Sequence, residues 1–121
     1  MNIPITITVT NQKISSDMRQ LVSDTVNVYK CHFNFDSSWD SFSKTAVFRQ
    51  EDSDIYEVIL DDSNNCILPW ESIQEEGVVY IGVYGVNETQ RYPTIWTKPI
   101  KVALGCKDGE PHTPPTPDVY E

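Results

Sequence analysis

Cys31 and His32 are adjacent, and Cys106 and His112 form a second sulfur–imidazole set near the end of the chain. A nucleophilic thiol needs its imidazole base within hydrogen-bond reach. Cys31-His32 falls inside "VYKCHFNF", an alternating run, and neighbours on a strand point to opposite faces, so this pair cannot act as a dyad. Cys106 and His112 supply two metal ligands where transition-metal sites take three or four. The runs Asp52-Ser53-Asp54 and Asp61-Asp62-Ser63-Asn64-Asn65 are rich in oxygen donors suited to Ca²⁺. Both lack the glycine and the terminal bidentate glutamate of an EF-hand loop, and solvated hairpin turns account for them. There is no G-x-S-x-G and no glycine-rich phosphate loop. The chemistry-bearing residues therefore point to a protein that is not an enzyme and needs no cofactor and no metal.

Aromatic residues are the other group with chemical potential. Trp70, Tyr84, Tyr92 and Trp96, together with Trp39 and Tyr80, could form a stacking platform for a sugar or a contact surface for a protein. The competing reading is core or rim packing, which suits Trp39 and Trp96 best. Trp70 is placed beside Glu71 on a short helical turn.

The elements that would position these groups read as strands. "IPITITVT" sets Ile3, Ile5, Ile7 and Val9 on one face and Pro4, Thr6, Thr8 and Thr10 on the other, with Pro4 marking an edge or a strand start. "TVNVYKCHFNF" sets Tyr29, Cys31, Phe33 and Phe35 together, with Val26 and Val28 out of phase, which implies a bulge or face switch near Tyr29. "KTAVFRQ", "DIYEVIL" and "CIL" are separated by turn residues and read as hairpins with Ala46, Phe48, Tyr56, Val58 and Leu60 inward. "PWESIQEEG" reads as one helical turn over 69–76, with Pro69 near its start and Gly77 at its end. "VVYIGVYGV" is apolar on both faces and predicts a central strand. "YPTIWTKPIKVAL" predicts a last strand that lies at an edge or breaks near Pro99. The sum is an all-β chain, an antiparallel β-sandwich of Ig-like architecture with about seven to nine strands.

Composition sets the outer bounds. A chain of 121 residues, 39% hydrophobic, is long enough for one domain with its own core. Its net charge is −9, and residues 36–76 carry eleven acids against Lys44 and Arg49. Such a surface repels phosphate, and no basic stripe offsets it, so nucleic acid is excluded as a partner. The three cysteines, Cys31, Cys66 and Cys106, are an odd set in a chain with its own core, which predicts free thiols and synthesis in a reducing cytosol. "MNIPITITVT" lacks the basic and apolar regions of a signal peptide. The longest apolar run, nine residues, is too short to span a bilayer as a helix, so no membrane partner is expected. Residues 1–104 form the predicted sandwich domain. Residues 105–121 form a polar, acidic linker holding Pro111, Pro114, Pro115 and Pro117, with roughly 3 Å of reach per residue.

The stretches "FNFDSSWDSFSKTAVF", "EVILDDSNNCILPWE" and "VVYIGVYGVNE…PTIWTKPIKV" carry a resemblance. In their order (an F-x-F strand, a W-D before "KTAVF", an acidic hairpin, a "PWE" turn, a "YIGVYG" strand) the sequence resembles the N-terminal domains of tail, baseplate or fibre-type structural proteins of phages and prophages of Firmicutes. The resemblance covers roughly residues 25–104. It implies a virion protein made in the bacterial cytoplasm, with other phage structural proteins as partners. It also implies a β-sandwich joined by a Pro-rich linker to a downstream oligomerising or fibre segment, where the chain would self-associate; the sequence stops where that segment would begin. A head fibre or capsid decoration role belongs to the same class. The alternative from another class is a carbohydrate-binding module that recognises bacterial cell-wall glycan through exposed aromatics.

Overall fold

The computed structural model of the protein describes residues 1–51 and 54–106. Ten strands follow one another: β1 (Ile3–Thr10), β2 (Lys13–Ser16), β3 (Gln20–Val22), β4 (Tyr29–Phe35), β5 (Ser43–Gln50), β6 (Ile55–Ile59), β7 (Asn65–Ile67), β8 (Gly77–Val86), β9 (Arg91–Pro93) and β10 (Ile100–Ala103). Two 3₁₀ turns, Ser37–Trp39 and Trp70–Ile73, are the helical segments among the described residues. The smaller sheet runs β2-β1-β4-β7. The larger runs β3-β10-β8-β5-β6, with β9 on the same side of β8 as β10. None of the helical segments in the described residues is long and apolar enough to cross a membrane.

The all-β, two-sheet sandwich expected from the alternating runs is present. Among the described residues its strands number ten, against the seven to nine expected, and the sheets are mixed rather than purely antiparallel. β1 pairs with β4 in parallel from Ile3↔Tyr29 to Val9↔Phe35, and β3 pairs with β10 in parallel. The reason is that β2 folds back on the far side of β1 and β3 crosses to the other sheet, which leaves β4 free to lie along β1's open side.

Inward faces match the period-2 pattern. Ile5, Ile7 and Val9 from β1 and Tyr29, Cys31 and Phe33 from β4 meet Ala46 and Phe48 from β5, Val79, Ile81 and Val83 from β8, and Leu21, Ile100 and Val102. Each Val, Ile or Phe so buried stabilises the fold by about 1.5–3 kcal/mol over leaving it in water. Pro4 is the second residue of β1, whose pairing with β2 begins only at Ile7. The amide of Thr6 points to the β2 side, onto the Asp17 carboxylate. The amide that Pro4 lacks would lie on that same side, beyond the end of the β2 ladder, so no bond is lost. The phase break before Tyr29 is taken up by Asp24 and Asn27, both in the left-handed region at φ 60° and 59°.

The expected last strand divides in three. β9 pairs with β8, residues 94–99 leave the ladder, and β10 resumes after Pro99. The break near Pro99 is thus observed. The edge position is not, because β3 covers β10's other side. In the gap, Thr94 and Thr97 donate their amides to the Val83 and Ile81 carbonyls, while their hydroxyls accept the Val83 and Ile81 amides at 3.1 Å each. Two threonine side chains therefore stand in for the missing backbone acceptors along β8. The 69–76 turn is shorter than expected, at Trp70–Ile73, with Pro69 as its N-cap.

Candidate functional site

Outward residues of β5, β6 and β8 line up across the larger sheet. The register places Arg49 between Ile55 and Tyr80, Val47 between Glu57 and Gly82, and Thr45 between Ile59 and Tyr84. The segment after β9 brings Trp96 onto this face. Its ring lies over Gly82, where an added Cβ would meet the ring at 3.3 Å, so the missing side chain lets the indole approach the sheet. The Arg49 guanidinium sits 4.8 Å from the Trp96 ring centroid and 5.3 Å from that of Tyr80, within cation–π range. Its buried Nε has no hydrogen-bond partner among the described residues.

Trp96, Tyr84, Pro93, Thr94, Val47 and Gly82 line a shallow concavity of about 180 Å³. A second, of about 320 Å³, adjoins it between Glu57, Tyr84, Arg91 and Pro93. The Tyr84 hydroxyl donates to Glu57 Oε1 at 2.6 Å, and that bond to a carboxylate raises the phenol's pKa. Ile55 and Ile59 stand on the same face, 53% and 77% exposed. The surface offers stacking area, two arginines and one carboxylate, beside the sheet edge at β6.

Of the four aromatic residues picked from the sequence, the structure brings Tyr84 and Trp96 together here. Tyr92 lies elsewhere: its ring stacks on Phe42 at 5.3 Å and packs 4.7 Å from Trp39, against the core. Trp70 is 37% exposed on its 3₁₀ turn, apart from the other three. Trp39 is fully buried, with its indole donating to the Asn11 carbonyl at 2.8 Å. Sequence reading missed Arg49, Glu57, Ile55 and Ile59 as members of the surface. The signal was available in part, since "TAVFR" and "IYEVI" set them opposite the inward Phe48 and Val58, but their neighbours depend on register.

The remaining candidates resolve as follows. Cys31 is buried and His32 faces away from it, bonded to Asn65 and Asn34. Asp61 Oδ1 accepts the amides of Ser63 and Asn65 at 2.9 Å each, so this oxygen-rich run is a capped hairpin turn. Asp52, Ser53, His112 and the linker residues Pro111, Pro114, Pro115 and Pro117 lie outside the described residues. Among those described, no group of three or more His, Cys, Asp or Glu is arranged to hold a metal ion. Glu51, Asp54, Glu71, Glu75 and Glu76 gather around a concavity of about 300 Å³, which concentrates part of the charge seen in residues 36–76.

No family model matches the chain, and no curated protein matches it. Among solved structures it is similar to the N-terminal domain of phage TP901-1 ORF48, at 9% identity and a TM-score of 0.47, over 84% of this chain and 97% of that one.

Proposed function

We propose that the protein is a non-enzymatic virion component, a β-sandwich adaptor in a phage tail, baseplate or fibre assembly. It docks on another structural protein of the particle and self-associates when joined to a downstream segment. The ordered motifs that resemble phage structural domains support this reading, and they fall on the framework: "FNF" in β4, the buried Trp39 of "WD", "KTAVF" in β5, and "YIGVYG" in β8. The observation that carries it is the outer face of the larger sheet. There Ile55 and Ile59 stand exposed on either side of Glu57, with Tyr84 and Trp96 on the same face, and apolar and aromatic side chains grouped with charged ones in this way suit an interaction surface. Mass spectrometry of particles purified from the host that carries the gene tests the proposal. The chain should appear in fixed stoichiometry with the other structural proteins. Its absence from washed particles would overturn the reading.

A second reading has its own observation. Trp96 lying over Gly82, flanked by partly exposed Tyr80 and Tyr84, is the arrangement on which a sugar ring stacks. Titration with bacterial cell-wall polysaccharide separates the two. Saturable quenching of tryptophan fluorescence that Trp96→Ala abolishes supports glycan binding, and an unchanged signal leaves the surface to a protein partner.

A further inference from the structure

Cys31 and Cys66 stand directly opposite each other across the β4–β7 ladder. The flanking bonds Phe33 N–H to Asn64 and Leu68 N–H to Tyr29 fix their type. Bonded pairs alternate along an antiparallel ladder, so Cys31/Cys66 is itself a hydrogen-bonded pair, with a Cα separation of about 5.5 Å. That Cα separation lies inside the span a disulfide bridges, about 4.4–6.8 Å, while the Cβ atoms of a bonded pair start about 5.5 Å apart and must draw in to about 4.5 Å for the bond to close. Both thiols are free and point into the core, Cys31 fully buried and Cys66 9% exposed. Cys66 lies on β7, the edge strand of the smaller sheet among the described residues, and is the less buried of the two. The two side chains already interact: the Cys66 thiol, followed by burial, pushes the Cys31 thiol's pKa well above its usual value.

We propose that Cys31 and Cys66 are a redox-closable pair, joined into a cross-strand disulfide by hydrogen peroxide once the protein leaves a reducing medium. The peroxide O–O bond breaks as its distal oxygen passes to Cys66 Sγ, giving a sulfenic acid and one water. Cys31 Sγ then attacks that sulfur. The S–S bond forms, the S–O bond breaks, and the thiol proton leaves with the hydroxyl as a second water. Two thiols are oxidised and one peroxide is reduced, which closes the balance. The bridge ties down β7, a three-residue edge strand held to β4 by three register pairs and the flanking bonds at Asn64 and Leu68. It links residues far apart in sequence, where a constraint on the unfolded chain has the most effect. Cys106, exposed and distant in sequence from the ladder, takes no part.

The full chain, purified reduced, is treated with hydrogen peroxide, unfolded and alkylated, and then mapped by mass spectrometry without reduction. The expected result is a linked Cys31–Cys66 peptide, an alkylated Cys106, and a melting temperature raised by about 5 °C or more that dithiothreitol reverses. Cys106→Ser should keep both the link and the rise, and Cys66→Ser should lose both. Three alkylated cysteines after oxidation, a Cys66 carried to sulfinic acid, or a link that leaves the melting temperature unchanged would each overturn the proposal. The first shows that the thiols are only small core residues, the second that Cys66 reacts but Cys31 does not resolve it, and the third that the bridge holds nothing.

Discussion

At Gly85 in β8 an added Cβ would lie 2.6 Å from Phe42 Cβ and 2.8 Å from its Cγ, and Phe42 is pinned by Trp39 and Tyr92. Gly85→Ala should therefore destabilise the fold by about 1–3 kcal/mol through overpacking, read from urea denaturation. A neutral result would show that Phe42 is free to move. Asp36 carries a different kind of constraint. Its carboxylate accepts the Ser38 hydroxyl and the amides of Asn11 and Ser38, which holds its pKa below the usual carboxylate value. A folded pKa below the unfolded one stabilises above the unfolded value, and that stability is lost as pH falls through the folded one. The stability gap between the protein and Asp36→Asn should be full at neutral pH and close below about pH 4, where carboxylates protonate. A gap that stays constant with pH would contradict this.

Among the elements, the 94–97 segment tests the fold most sharply. Thr97 is 4% exposed, and its hydroxyl is the acceptor for the Ile81 amide. Thr97→Val keeps the shape and strands that amide, at a cost of about 1–3 kcal/mol. Thr94→Val should cost less, because Thr94 is half-buried and water can reach the Val83 amide. No loss from either variant in thermal melts would show that the hydroxyls are not serving as ladder acceptors. This segment also shows where sequence reading stops. The alternation of "IPITITVT" and "YKCHFNF" made their inward faces legible, because burial alone sets that pattern. The same pattern says nothing about which strand lies beside which, so the parallel β1–β4 pairing was hidden. Pro99 marked a break, but only the register of β8 reveals that two threonines fill it. The outer surface was legible for Tyr84 and Trp96 by residue type. Tyr92 packs on Phe42 and Trp39 instead, because its face depends on where the chain turns after β8.

Taken whole, the molecule is a sandwich with two unlike outer surfaces on its larger sheet and one end. Five of the eleven acids that the sequence concentrates in residues 36–76 line a concavity between the β5–β6 connection and the Trp70–Ile73 turn. The aromatic and aliphatic residues meet on the β5–β6–β8 face. If that face docks the protein in a particle, a charge placed on it should block incorporation while leaving the fold intact. Ile59→Asp places one there, and Ile67→Asp makes the same change on β7 in the other sheet, where Ile67 is 39% exposed. The decisive measurement is the amount of each variant in purified particles, with melting temperature as the check on folding. The account predicts that Ile59→Asp falls about tenfold or more, the equivalent of about 1.4 kcal/mol of lost docking energy, while Ile67→Asp stays at the wild-type level. Equal incorporation of the two folded variants would contradict it.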